Sequence, residues 1–231
     1  MRKKNVALII FALLSVCSGK TNGSLSFDFT RIQTRASGAD TTQGTLYQFG
    51  NRMVIKVTAP IAQFMIIDSS STLIYNCGER SAIQFRSNSS AAMPLFQVFF
   101  KLYQGNQLLP PSPFKQGTTQ KSGDTLHSTW ILETKKKTSP VRFESVYYKD
   151  EPVMEGLYDA KGMCISLLQF SKDTLINGRH VPLRISSSVP QGSLMLIETV
   201  SICHLLTNAN VPEEILHFKL PPEIPVKVIE W

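Results

Sequence analysis

Charge is scarce in this chain of 231 residues: 18% of its side chains are charged, against about a quarter in an ordinary soluble domain. Long apolar runs are also missing. The stretch "VALIIFALLSV" at 6–16 falls well short of the roughly 20 residues that a helix needs to span a bilayer. There are four cysteines and no CxxC pair, which argues against a zinc ribbon or a dithiol redox motif. The chain has no GxSxG elbow, HExxH, P-loop or dinucleotide fingerprint. Its four histidines, His127, His180, His204 and His217, lie far apart and share no ligand spacing. Acidic residues such as Asp68, Asp150, Glu151 and Asp159 fall mostly in turns. The expectation is therefore a protein that is not an enzyme, with no cofactor and no metal. A hydrolase whose site is assembled from distant residues is the weakest of the rival readings.

What is present begins with an export signal. "MRKKN" is a positive segment, an apolar run follows, and "CSGK" is small and polar. Residues 1–19 are read as a signal peptide. An alternative lies in "LLSVC", which resembles a bacterial lipoprotein box but has Val16 where that pattern has Gly, Ala or Ser. Cleavage there would leave Cys17 as a possible lipidation site. The formal charge of +7 includes Arg2, Lys3, Lys4 and Lys20; without those four it is +3. The run "TKKKT" at 134–138 reads as a solvated strand end, and no nucleic acid is expected as a partner. The cysteines Cys77, Cys164 and Cys203 allow one disulfide with a free thiol, or three small buried side chains.

The remainder alternates as strands do. "LSFDFTRIQTRA", "GTLYQF", "RMVIKVTAP", "FMIID", "STLIYN" and "SAIQFRS" read as an antiparallel meander, with Gly50-Asn51 as a tight turn and Pro60 at a bulge or edge. Leu95, Val98, Phe99 and Leu102 then recur at helical spacing, between Pro94 at a helix start and Gly105 at its end. Strands resume at Leu126 and run through "LHSTWILETKK", "VRFESVYYKD", "EGLYDAKGMCISLLQF", "HVPLRISSSVPQGSLMLIETVSICHLL" and "EILHFKL". The tail "PPEIPVKVIEW" is extended. A single domain over 24–231 with a helical insertion at about 91–105 is expected. Several strands are apolar at nearly every position, although a sheet with one wet face alternates. Either packing covers both faces, or one face lines a greasy cavity.

The order of the segments adds to this. "GTLYQFGNRMVIKVTAPIAQFMIIDSSSTLIYN" resembles the periplasmic outer-membrane lipoprotein carrier family, the LolA-like lipoprotein-sorting proteins. The matching residues are Gly44, Leu46, Tyr47, Pro60, Asp68, Thr72, Leu73, Tyr75 and Asn76. "EILHFKLPPEIPV" is similar to that family's closing strand through Phe218, Leu220, Pro221 and Pro222, and "GRHVPLRISSS" resembles the same group. The resemblance implies a mainly β (α+β) fold, an unclosed antiparallel half-barrel with a helical lid. The family's N-terminal helix is missing, and Gly50-Asn51 stands where a lid-latching arginine would follow, with Arg52 close by.

The function implied is a non-catalytic envelope carrier, a chaperone that binds lipid or lipoprotein acyl chains in a hydrophobic concavity. Phe27, Phe29, Met53, Ile55, Val57, Trp130 and Leu132 are expected to line it, faced by Leu95, Val98, Phe99 and Leu102 of the lid. The partners implied are an inner-membrane release transporter and an outer-membrane acceptor; the chain itself is expected to be monomeric and periplasmic. The alternative is an envelope sensor or adaptor that uses the same fold to bind a protein.

Overall fold

The computed structural model describes residues 23–86, 93–108, 110, 114–133 and 140–230. The leader with Cys17 and the "TKKKT" run lie outside the described residues. The elements are β1 (Leu25–Arg35), β2 (Gly38–Phe49), β3 (Arg52–Ala59), β4 (Gln63–Ile67), β5 (Thr72–Asn76), β6 (Ser81–Phe85), α1 (Pro94–Tyr103), β7 (Lys115–Ser122), β8 (Thr125–Ile131), β9 (Pro140–Tyr148), β10 (Glu151–Asp159), β11 (Cys164–Ile176), β12 (Arg179–Gln191), β13 (Leu194–Thr207), α2 (Glu213–Leu216) and β14 (Val226–Ile229). The strands form one sheet in the order β14-β6-β5-β4-β3-β2-β1-β13-β12-β11-β10-β9-β8-β7. The sheet is not closed, and its hairpin partners are antiparallel. β14 lies parallel beside β6. The mainly β open-sheet class is as the sequence implies. The chain divides into two compact units, one built on Pro94–Val200 with Gln33–Ala39, the other on Asp40–Met93 and Ser201–Trp231 with β1 up to Ile32.

In the unit that contains β2 to β6, cross-strand register sorts side chains by face. Leu46, Ile55, Met65, Ile74 and Ile83 form one row. Tyr47, Val54, Ile66, Leu73 and Gln84 form the adjacent row on the opposite face. The second row is covered by the chain after β13. Val54 and Ile66 pack with Val211 and Ile215, and Tyr47, Phe49, Phe64, Leu73, Leu216 and Phe218 surround them. The rings of Phe64 and Phe218 stack with centroids 4.6 Å apart. Arg52 donates to the carbonyls of Leu216 and Phe218, each at 3.3 Å, and Lys56 pairs with Glu214 at 3.0 Å. Arg52 therefore fastens the C-terminal segment in this unit.

This corrects one expectation. "EILHFKL" is a short helix, α2, followed by irregular chain, and not a closing strand. Val211, Ile215 and Phe218 recur at i, i+4 and i+7, so a helical turn brings all three to one sheet face where a strand would alternate them. Pro212, Glu213 and Glu214 before that turn are helix-start residues. The "FMIID" and "STLIY" hairpin is as read: Asp68 accepts the amides of Ser70 at 2.9 Å and Ser71 at 2.7 Å and shapes its turn. Burial raises the Asp68 carboxyl, but those bonds outweigh it and hold the group below its ordinary range.

The other unit holds α1 and β7 to β12. Helix α1 packs on β12, where Val181 and Ile185 are fully buried. Leu95, Phe96, Val98, Phe99, Phe100 and Leu102 are all buried, a stripe wide enough to leave only Pro94, Gln97, Lys101 and Tyr103 partly accessible. The helix ends in paired bonds from Gly105 N to Leu102 O (2.9 Å) and Asn106 N to Lys101 O (2.9 Å), with Gly105 at φ 77°. Arg179 donates to Gln104 O at 2.9 Å and lies where a Cβ on Gly105 would fall, 2.0 Å from its Nη1. Strand β7 was not foreseen from sequence. It is exposed along its whole length, and "KQGTTQKS" carries no apolar alternation to signal it. Cys77, Cys164 and Cys203 are free thiols, with Cys203 exposed.

Replacing Ile215 by Ala, at a site with no exposure, is expected to lower the unfolding free energy by about 3 kcal/mol. Ile197→Ala, at a residue 41% exposed, is expected to cost under about 0.5 kcal/mol. Urea unfolding curves of the two variants give the comparison.

Candidate functional site

Thr45 donates to Asp28 at 2.6 Å, and Thr45 pairs with Lys56, so Asp28 belongs to the face of Val54 and Lys56. Its neighbours Phe27 and Phe29 therefore point to the other face, that of Met53, Ile55 and Val57. The five expected lining residues of this unit thus share one side of its sheet. Phe27, Phe29 and Ile55 are 1%, 2% and 0% exposed, and Val57 is also buried. In the other unit, Leu95, Val98, Phe99 and Leu102 are buried on α1, Trp130 lies in β8, and Leu132 follows the end of that strand, half-buried.

The unit of α1 contains a cavity of about 870 Å³. Leu102 and the segment Gly105–Leu108 bound it on the helix side. Gln116 and Thr119 of β7, Leu126, Ser128 and Trp130 of β8, and Ser145 and Tyr147 of β9 form the sheet side. Lys149, Asp150, Pro152, Gly178, Arg179 and His180 complete it. Of the expected residues, Leu102 and Trp130 line this cavity.

Its sheet side is crossed by a polar row. Register places Thr119 opposite Ser128, Ser128 opposite Ser145, Ser145 opposite Glu155, Glu155 opposite Leu168, and Leu168 opposite Ser187. Ser128, Ser145, Glu155 and Ser187 are all buried. A bulge between Pro152 and Met154 sets this pairing: the extra residue there brings Glu155, not Met154, opposite Ser145. Burial pushes the Glu155 carboxyl well above its ordinary value, against the attraction of Lys101 on α1. Burial also raises the Tyr147 hydroxyl to about 12, with the Glu155 charge adding to it and the backbone at Leu108 opposing. The Tyr147 hydroxyl is therefore neutral at ordinary pH, and burial favours the neutral form of the Glu155 carboxyl, which can donate as well as accept hydrogen bonds. Sequence reasoning missed this row. The alternation of Phe143, Ser145 and Tyr147 in "VRFESVYYKD" was the available sign, but only the register reveals its partners.

The histidines, read in sequence as isolated, each stand beside a carboxylate. His180 Nδ1 lies 2.6 Å from Asp173 and 2.8 Å from Glu151, and His204 Nδ1 lies 2.8 Å from Asp28. His217 is 3.1 Å from Glu213 and His127 is 3.9 Å from Glu144. Two sets, Glu151–Asp173–His180 and Asp28–Cys203–His204, bring three possible cation ligands within 4.8 Å of one another. Both sit largely at the surface, and in each a histidine–carboxylate contact holds the imidazole beside its acidic neighbour. Burial raises the Cys164 thiol, which leaves it a poor nucleophile.

No protein-family model matches the chain, and no curated protein matches it in sequence. Solved structures share its fold. A LolA superfamily protein from Nitrosomonas europaea aligns with a TM-score of 0.50 at 10% identity, over 84% of this chain and 89% of that one. A domain from Vibrio parahaemolyticus described as an outer membrane lipoprotein-sorting protein aligns with a TM-score of 0.52 at 11% identity, over 87% and 92%. A DUF1329 family protein from Desulfovibrio piger gives 0.54 at 12%, over 92% and 94%. The chain thus has the LolA-like fold that its sequence resembles, with identities that speak to the fold alone.

The hydrogen bond to Asp173 holds the His180 imidazole above its usual value, assisted by the charges of Glu151 and Asp173. A raised folded-state value means a contribution fully present below the unfolded value of about 6.5 and lost as pH climbs through the higher folded one. His180→Gln is therefore expected to lower the melting temperature at about pH 5.5 and leave it nearly unchanged at about pH 9. Thermal melts of both proteins at the two pH values test this.

Proposed function

We propose that this chain is a non-catalytic lipid- or lipoprotein-binding carrier of the bacterial envelope. The observation that carries the reading is the cavity of about 870 Å³ beside the end of α1, in a fold shared with LolA superfamily structures. That volume lies within the range of about 300–1,000 Å³ for small-ligand sites. Leu102, Leu108, Leu126 and Trp130 give it apolar walls. In this reading Phe27, Phe29, Met53, Ile55 and Val57 in one unit, and Leu95, Val98, Phe99, Leu102, Trp130 and Leu132 in the other, supply acyl contacts. The leader sequence supports export, and the neighbours' lipoprotein-sorting description supports transfer between envelope membranes as the task.

Acyl recognition needs dry area more than polar precision. Each buried methylene contributes about 0.8 kcal/mol, or about fourfold in affinity. Affinity for a series of single-chain lipids is therefore expected to rise by about that factor per carbon until the apolar volume is filled. Native mass spectrometry of the mature protein, purified from its envelope, tests the reading itself. A co-purifying acyl ligand removed by organic extraction is the expected result. A clean apo mass with no uptake of added lipid would overturn it in favour of a protein-binding adaptor.

A further inference from the structure

The cavity in the unit of α1 has a floor that an acyl chain leaves unsatisfied. Ser145 lines it, is 1% exposed, and among the described residues offers its Oγ no hydrogen-bond partner. Glu155 is its cross-strand neighbour on the same face, is 6% exposed, and has an Oε1 that likewise finds no partner among the described residues. A buried polar atom without a partner costs about 1–3 kcal/mol, and native interiors keep few of them. Ser145 borders the open volume and Glu155 stands next to it on the same sheet face, so the pair forms a prepared hydrogen-bonding site one strand deep. Leu126 and Trp130 flank the polar row on the neighbouring strand β8, and Leu102 of α1 adds apolar surface from the helix side.

The chemistry of the pair narrows the ligand. Ser145 can donate and accept, and burial favours the neutral form of Glu155, which does both as well. An alcohol group matches them, because it also donates and accepts. An ionised phosphate only accepts, so it leaves the acceptor oxygens of the pair without a donor. We propose that this cavity is a head-group site: it takes the uncharged, hydroxyl-bearing end of a single-chain amphiphile, with Ser145 and Glu155 as its hydrogen-bond partners. The inference rests on the lipid-binding reading above and adds which end of the ligand enters this cavity.

Trp130 lines the cavity and Trp231 is the only other tryptophan of the sequence, so a Trp231→Phe protein reports binding through one fluorophore. Monolauroylglycerol and methyl laurate share a chain and differ in hydroxyls. Each is titrated below its aggregation concentration into that protein, and into the same protein carrying Ser145→Ala and Glu155→Met. Methionine keeps much of the side-chain volume and leaves no polar atom to orphan, so the variant is expected to fold. The expected result is at least about tenfold tighter binding of monolauroylglycerol than of methyl laurate, a gap that closes in the variant. Equal binding of the two probes to the parent protein would overturn the head-group site while leaving lipid binding intact. A gap that survives in the variant would overturn the assignment to Ser145 and Glu155. Failure of both probes to bind would remove the lipid-binding reading, and this inference with it.

Discussion

Val54 and Ile55 are consecutive residues of one strand, and neither is exposed at all. The pleat of a strand sends them to opposite faces, so both sides of the sheet at this point must be kept dry. Burying each is worth about 2 kcal/mol, and that return depends on something lying over each face. On the Val54 side the cover is the chain from Val211 to Phe218. That segment reaches across the face because a helical turn aligns Val211, Ile215 and Phe218, and because Arg52 and Lys56 tie its carbonyls and Glu214 to the strand beneath. The polar residues of β3 thus serve the same packing as the apolar ones. The anchors are a guanidinium shared between two carbonyls and an exposed ion pair, neither of which is strong on its own. The apolar area between them carries most of the stabilisation.

The unit of α1 solves the problem differently. Its helix is buried around most of its circumference against a strand whose Val181 and Ile185 match it. Further along the same sheet face, apolar residues give way to Ser128, Ser145 and Glu155. A row of small hydroxyl residues fills less space than Leu or Ile would, and a volume beside it remains open. The same substitution that creates the room also creates the need for hydrogen-bond partners. Size and polarity of the cavity are therefore one consequence of one row of residues.

Most of the fold was legible because it is written in periods that sequence displays. The alternation of β1 to β6, the turn residues Gly50-Asn51 and Asp68, and the Leu95–Leu102 stripe each stated their structure locally. Two elements escaped for opposite reasons. β7 has no apolar residue in its strand, so nothing distinguished it from a loop. The residues around α2 carry a 3.6 period, but over so few residues the likeness of "EILHFKLPPEIPV" to a closing strand masks it. The candidate site was legible in part. Leu102 and Trp130 follow from the apolar pattern together with the family resemblance, which supplies the idea of a cavity. Ser145, Tyr147 and Glu155 do not, because their meaning comes from pairing across hairpins and from burial. The histidines show the same limit: His204 and Asp28 are 176 positions apart and 2.8 Å from one another.

The bulge in β10 bears on whether the polar row is an accident of sequence. Running outward from the turn, Glu151 pairs with Tyr148 and Pro152 with Tyr147. A regular hairpin would continue with Met154 opposite Ser145, and the row would be interrupted by a thioether. The extra residue shifts the register so that Met154 faces Val146 and Glu155 faces Ser145. The residue left over, Val153, is 41% exposed, so an apolar side chain is given to solvent in the exchange. The bulge breaks the ladder, exposes a valine and buries a carboxyl, and each of these opposes folding. Against them, the same register sets Leu157 opposite Phe143 and Tyr158 opposite Arg142, whose guanidinium carbon lies 4.7 Å from the tyrosine ring centroid. One shift of a single residue thus decides both the packing towards the outer end of this hairpin and the pairing of Glu155 with Ser145 on which the polar row depends.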